Sequence, residues 1–220
     1  MQYAVRRWLT ILHYEQKSHI LDRFVNIVDK MEHTMKLVAA RTQEMVFFRP
    51  LSIKSKRNNR FYALPYTHGK KEFKRVGPMF TMCVPFYLNH HLWIGVAGTY
   101  DNEHDVCFFS HHLFDRYVQR CIKEELDVGM IECALRFCAN NMSPCSRTFI
   151  HPKTGEKGRF MRTNDGIALG AEIDGVCVYM TFVTEQMLFD GQQQLNSDTK
   201  VSIEDMNTTF YEIYSKKRVA

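Results

Sequence analysis

The chain has 220 residues, 45% hydrophobic and 24% charged, with a formal net charge of +5. This balance is ordinary for a globular protein and provides for a sizeable core in one large domain, or in one compact domain with helical extensions. No apolar run reaches the roughly 18 residues of a membrane span, so no membrane contact is expected.

The N-terminal region, residues 1–48, has no Gly or Pro. Apolar Phe24, Ile27, Val28, Met31, Met35 and Val38 recur at helical spacing opposite Asp22, Asn26, Asp29 and Lys36. The pattern predicts one long helix or a helical hairpin from about Tyr3 to Arg41, with Ser18 as a cap if the segment breaks there. The start, Met1 to Trp8, is basic but has no apolar block after it, so it reads as a poor secretory leader and a cytoplasmic location is expected. An apolar stripe left uncovered on this helix would make the chain a protein-interaction module.

Residues 49–78 lose that periodicity. They carry nine cations (Arg49, Lys54, Lys56, Arg57, Arg60, Lys70, Lys71, Lys74, Arg75) against Glu72 alone, interleaved with Phe61, Tyr62, Tyr66 and Phe73. Such a segment attracts phosphates and offers rings for base stacking, but it also suits the charged edge of a sheet. It is expected to be a basic linker or edge, with Lys54, Lys56, Arg57 and Arg60 as nucleic-acid-binding candidates.

Residues 79–220 read as an α+β domain. Strand-like runs cover 79–84, 92–97 and 106–109, and helices are expected at about 111–126 and 128–140. A β-meander follows, with a strong hairpin signal at Asp174-Gly175. Arg159 and Arg162 add cations to this meander and are further nucleic-acid-binding candidates. Ser202-Ile203-Glu204-Asp205 suggests the cap of a short terminal helix. The expected fold class is therefore α+β: a long N-terminal helix or helical hairpin, then two helices packed on a mainly antiparallel meander sheet.

Seven cysteines (Cys83, Cys107, Cys121, Cys133, Cys138, Cys145, Cys177) form no CxxC pair and are odd in number, as suits free thiols in a reducing compartment. His90-His91, His104 and His111-His112 lack metal-ligand spacing, so neither a metal nor a cofactor is expected.

The most informative string is Ser110-His111-His112-Leu113-Phe114-Asp115-Arg116-Tyr117-Val118-Gln119-Arg120. His112, Arg116 and Arg120 are four apart and share one helical stripe, while Phe114, Tyr117, Val118 and Cys121 fall opposite. A proton carrier beside two guanidinium forks matches the needs of metal-free phosphodiester cleavage. A polar stripe opposite an apolar one is also what any surface helix looks like.

His112-x-x-x-Arg116-Tyr117-x-x-Arg120-x-Ile122, a second helix and a meander ending in Thr181-Phe182-Val183-Thr184 resemble a small bacterial HxxxRxxxR group within the barnase, EndoU, colicin and RelE-like ribonuclease superfamily. The resemblance covers roughly residues 109–188. It implies a metal-independent endoribonuclease of the toxin or defence-effector type, cleaving RNA by 2′-hydroxyl attack and held in check by an inhibitory partner protein. In that reading His112 moves the proton, Arg116 and Arg120 bind the phosphate, and Thr184, or in second place Thr181, holds the phosphate or orients the nucleophile. The alternative is a nucleic-acid-binding protein without catalysis.

Overall fold

The structure, a computed structural model, describes residues 20–42, 46–67, 69–97, 106–122, 129–141, 146–151 and 155–198. In chain order these form helices α1 (Ile20–Lys30) and α2 (Glu32–Ala39), then strands β1 (Val46–Phe47), β2 (Leu51–Lys54) and β3 (Arg60–Thr67). Helix α3 (Lys70–Val76) precedes β4 (Met79–Leu88), β5 (His91–Ala97) and β6 (Val106–Ser110). Helices α4 (His111–Cys121) and α5 (Met130–Asn141) lead into β7 (Ser146–Ile150), β8 (Lys157–Arg162), β9 (Ile167–Ile173) and β10 (Val176–Val183). A 3-10 turn at Glu185–Met187 and a helix over 190–198, α6, follow.

Ten strands join in one mixed sheet, ordered β1-β3-β4-β5-β6-β10-β9-β8-β7, with β2 also on β3. The chain after β6 passes through α4, α5 and β7–β9 before β10 lies parallel to β6, whereas the other described pairings are antiparallel. The period-2 alternation of strand side chains divides the core into two layers. Phe61, Ala63, Phe80, Met82, Val84, Phe108 and Val178 pack on one face with Phe24, Val28 and Met35 of α1 and α2. Leu64, Cys83, Ile94, Val96, Phe109 and Tyr179 pack on the other with Phe114 and Tyr117 of α4 and Phe137 of α5. Helix α6 covers the β8–β9 end of the α1 face through Leu195, against Phe160 and Ile167.

This architecture corrects the expected fold class. The helical start is not a separate unit ahead of a meander, because β1–β5 come from residues 46–97 and extend the meander into the ten-stranded sheet. Residues 49–78, which lack helical periodicity, hold β2, β3 and α3. Pro65 within β3 masks the strand in the sequence; it lies between the stretch paired with β2 and the stretch paired with β1. The long N-terminal helix also gives way: the helical stretch is divided at Met31 with no Gly or Pro to announce it. The predicted helix before Ile20 and the capping sequence at 202–205 lie outside the described residues. Among the described residues no helix is long and apolar enough to cross a membrane.

Candidate nucleic-acid interface

Strand directions place the candidate residues along one rim. β3, β4, β5 and β6 alternate in direction and β10 runs with β6. The start of β3, the end of β4, the start of β5 and the ends of β6 and β10 therefore share one end of the sheet. The β2–β3 hairpin tip, the Asn89-His90 turn, the first residue of α4 and Thr184 all lie on it.

Helix α4 is fixed there by an irregularity in β10. The β6–β10 ladder pairs Cys107–Phe109 with Cys177–Tyr179 and stops. A bulge between Tyr179 and Thr181 then shifts the β9–β10 register, so Tyr179 and Phe182 both turn toward the α4 layer. Gly170 accommodates the crossing: a Cβ there would lie 1.9 Å from the Val178 carbonyl oxygen. Past the end of the ladder, side chains supply the donors. Ser110 Oγ donates to the Met180 carbonyl at 2.9 Å and caps α4 by accepting from Leu113 N at 3.2 Å. Arg120 donates from its guanidinium to the Phe182 carbonyl, two residues before Thr184. The Thr184 carbonyl in turn accepts from Met187 N at the start of the 3-10 turn.

The far end of α4 is latched by Asp165 in the β8–β9 turn. Tyr117 Oη and the Asn141 amide both donate to its Oδ2, at 2.8 and 2.9 Å, and Asp165 N donates back to Asn141 Oδ1 at 3.1 Å. Tyr117 and Asn141 are buried, so this carboxylate satisfies polar groups that water does not reach. Burial first, then the nearby Asp165 charge, pushes the Cys121 thiol up, with Arg120 opposing.

The stripe divides accordingly. His112 is exposed, and Arg116 approaches it with Nε 3.5 Å from His112 Nε2 while donating to Gln119 Oε1 at 2.9 Å. Arg120 instead holds the β10 backbone. Beside the stripe, His111 Nε2 lies 3.1 Å from Asp115, and the His91 ring is centred 5.3 Å from the His111 ring. Among the described residues no group of three His, Cys, Asp or Glu side chains could hold a metal ion.

The two sets of basic candidates are placed differently. Lys54, Lys56, Arg57 and Arg60 are exposed on the β2–β3 hairpin, with Lys56 and Arg57 in its turn and Lys54 opposite Arg60. The Ser55 hydroxyl shapes that turn by accepting from the backbone of Arg57 and Asn59, each at 3.2 Å. No ion pair of the described residues involves Lys54, Lys56 or Arg60. Arg159, by contrast, pairs with Glu172 across β8 and β9. Arg162 sits opposite Ile167 on the α1 face, where it donates to Asn196 Oδ1 at 2.9 Å and pairs with Glu185 at 3.1 Å. The structure thus brings His112 and Arg116 onto the rim that carries the hairpin cations, and directs Arg162 away from them.

Tyr87 was not singled out by sequence, yet it is 68% exposed on the same rim. A tyrosine closing a strand-like run beside Asn89-His90 was the available signal. Phe61 and Phe73, by contrast, are buried. An apolar groove lined by Phe149, Ile150, Phe189 and Leu195 lies between β7 and α6 and contains none of the candidate residues. Comparison with known proteins finds no matching family model, no matching curated protein and no matching solved structure.

Proposed function

We propose that the chain binds RNA along the rim formed by the β2–β3 hairpin, the end of β4 and the start of α4. The observation that carries this reading is the placement of Lys54, Lys56, Arg57 and Arg60, exposed together at one end of the sheet. The rim continues across about three strand spacings, roughly 14 Å, to the His112–Arg116 pair. Residues 49–100 contain a single acidic residue, Glu72, which is paired with Arg75. The segment is thus strongly basic in sequence, which favours attraction of a polyanion. The test is titration of labelled RNA with the purified protein at low salt. Submicromolar binding that weakens at least tenfold in the Lys54→Gln/Lys56→Gln/Arg60→Gln variant supports the reading, and failure to bind RNA overturns it.

A second reading adds cleavage. It is favoured by the contact of Arg116 with His112, and by residues 111–183 running as two helices followed by a four-stranded antiparallel meander, the order the ribonuclease resemblance implies. In this reading His112 takes the 2′-hydroxyl proton as the 2′-oxygen attacks phosphorus and the 5′-oxygen leaves. Arg116 stabilises charge on the phosphoryl oxygens, while Arg120 positions the strand that carries Thr184. RNA products ending in 2′,3′-cyclic or 3′-phosphate, lost in His112→Ala while binding persists, are the expected result. Intact RNA after prolonged incubation removes the catalytic reading and leaves the binding one. An inhibitory partner protein belongs to this second reading alone.

A further inference from the structure

We infer that the α4 face of β2, β3 and β4 is a stacking platform for single-stranded RNA, with Tyr87 as its principal ring and Lys54 and Arg60 beside it to engage the phosphates. The inference rests on the RNA-binding reading above and specifies its substrate class.

The platform follows from register. On β3, Phe61 and Ala63 point into the α1 layer and Leu64 into the α4 layer, so Arg60 and Tyr62 face the α4 side. Lys54 lies opposite Arg60, and Ser52 opposite Tyr62, so they share that face. On β4, Cys83 belongs to the α4 layer and Met82 and Val84 to the other, which puts Tyr87 on the α4 side, directly opposite Leu92. The helices of this layer do not reach the end of the face. Ser52, Lys54, Arg60 and Tyr87 are exposed and Tyr62 is half-buried, whereas Leu64 and Cys83 deeper along the same strands are covered.

Tyr62 is opposite Cys83, and Tyr87 is four residues further along β4, about 13 Å at the strand rise. Arg60, two residues before Tyr62 and paired with Lys54, falls between the two rings. The sequence of groups is ring, cation pair, ring, leading on to the hairpin tip with Lys56 and Arg57.

The ring faces decide the class of nucleic acid. An exposed tyrosine ring on an open face can stack only on a base that is out of a duplex, while the cations beside it recognise the backbone of any strand. A duplex presents phosphates but no free base face. The platform therefore prefers unpaired RNA, and the preference resides in Tyr87 rather than in the charges.

The test is fluorescence anisotropy with a labelled 12-nucleotide RNA, single-stranded and annealed to its complement, against the full chain and its Tyr87→Ala and Tyr87→Phe variants. Tighter binding of the single strand, weakened roughly tenfold in Tyr87→Ala and retained in Tyr87→Phe, is the expected result. Duplex binding should fall less in Tyr87→Ala than single-strand binding does, so that the preference for the single strand narrows. Equal affinity for single strand and duplex, or a Tyr87→Ala variant that binds like the parent, overturns the platform. If Lys54→Gln/Lys56→Gln/Arg60→Gln still weakens binding, the RNA-binding reading survives that outcome. A parent protein that binds neither form overturns both.

Discussion

The cations at the two ends of the rim look alike in the sequence and are used differently in the fold. Arg120, Arg159 and Arg162, near the β7–β10 meander, donate to a backbone carbonyl, to Glu172, and to Asn196 and Glu185. Lys54, Lys56 and Arg60 on the β2–β3 hairpin make no ion pair among the described residues. A charge that completes a ladder or joins two elements is part of the structure, and a charge held out on a two-stranded hairpin is available to a ligand. The count of basic residues does not distinguish them; the position of carboxylates and unpaired carbonyls does.

The largest expected effect comes from the meander side. Gly170→Ala forces a Cβ against the backbone of Val178 and Tyr179, neither of which can swing away as a side-chain tip would. A loss of more than about 3 kcal/mol, or failure to fold, is expected. Parent-like denaturation would show that β9 and β10 separate there at little cost. Arg120→Met keeps much of the stem but leaves the Phe182 carbonyl without its donor, for an expected loss of about 2 kcal/mol by chemical denaturation. An unchanged midpoint would release Arg120 from its structural role and return it to the phosphate-binding stripe. The smallest effect is expected at the hairpin: Lys54→Gln/Lys56→Gln/Arg60→Gln should alter stability by less than about 0.5 kcal/mol, since exposed side chains away from packing contribute little. A larger loss would mean that these cations, too, support the fold.

Much of the second half was legible because local rules governed it. Asp174-Gly175 forms the expected hairpin, with both residues at positive φ, and Ser110 opens α4 where the apolar spacing begins. The Asn89-His90 turn was harder to see, because its two left-handed positions are filled by Asn and His without a glycine. The first half was less legible because its strands carry prolines and cations that usually mark loops. Their assignment depends on partners far along the chain, such as Pro65 facing Phe80. Within the site, spacing identified the stripe of α4 and its face. It could not reveal that Arg120 would meet a β10 carbonyl exposed by the end of a parallel ladder, since that depends on the bulge at Met180. The direction of Arg162 is legible once β8 is placed, because Phe160 and Arg162 share a side of the strand and Phe160 is buried beneath α6.

The division of labour between the two ends of the rim is tested most directly by the salt dependence of RNA binding. Affinity is measured from about 50 to 300 mM monovalent salt for the parent, for Lys54→Gln/Lys56→Gln/Arg60→Gln, and for Arg159→Gln/Arg162→Gln. Each lost phosphate contact on a single strand removes about 0.7 from the slope of log affinity against log salt. The hairpin variant should therefore flatten the slope by about 2, while the meander variant keeps the parent slope. A parent-like slope in the hairpin variant, together with a flattened one in the meander variant, would place the RNA on the other end of the rim and contradict the account.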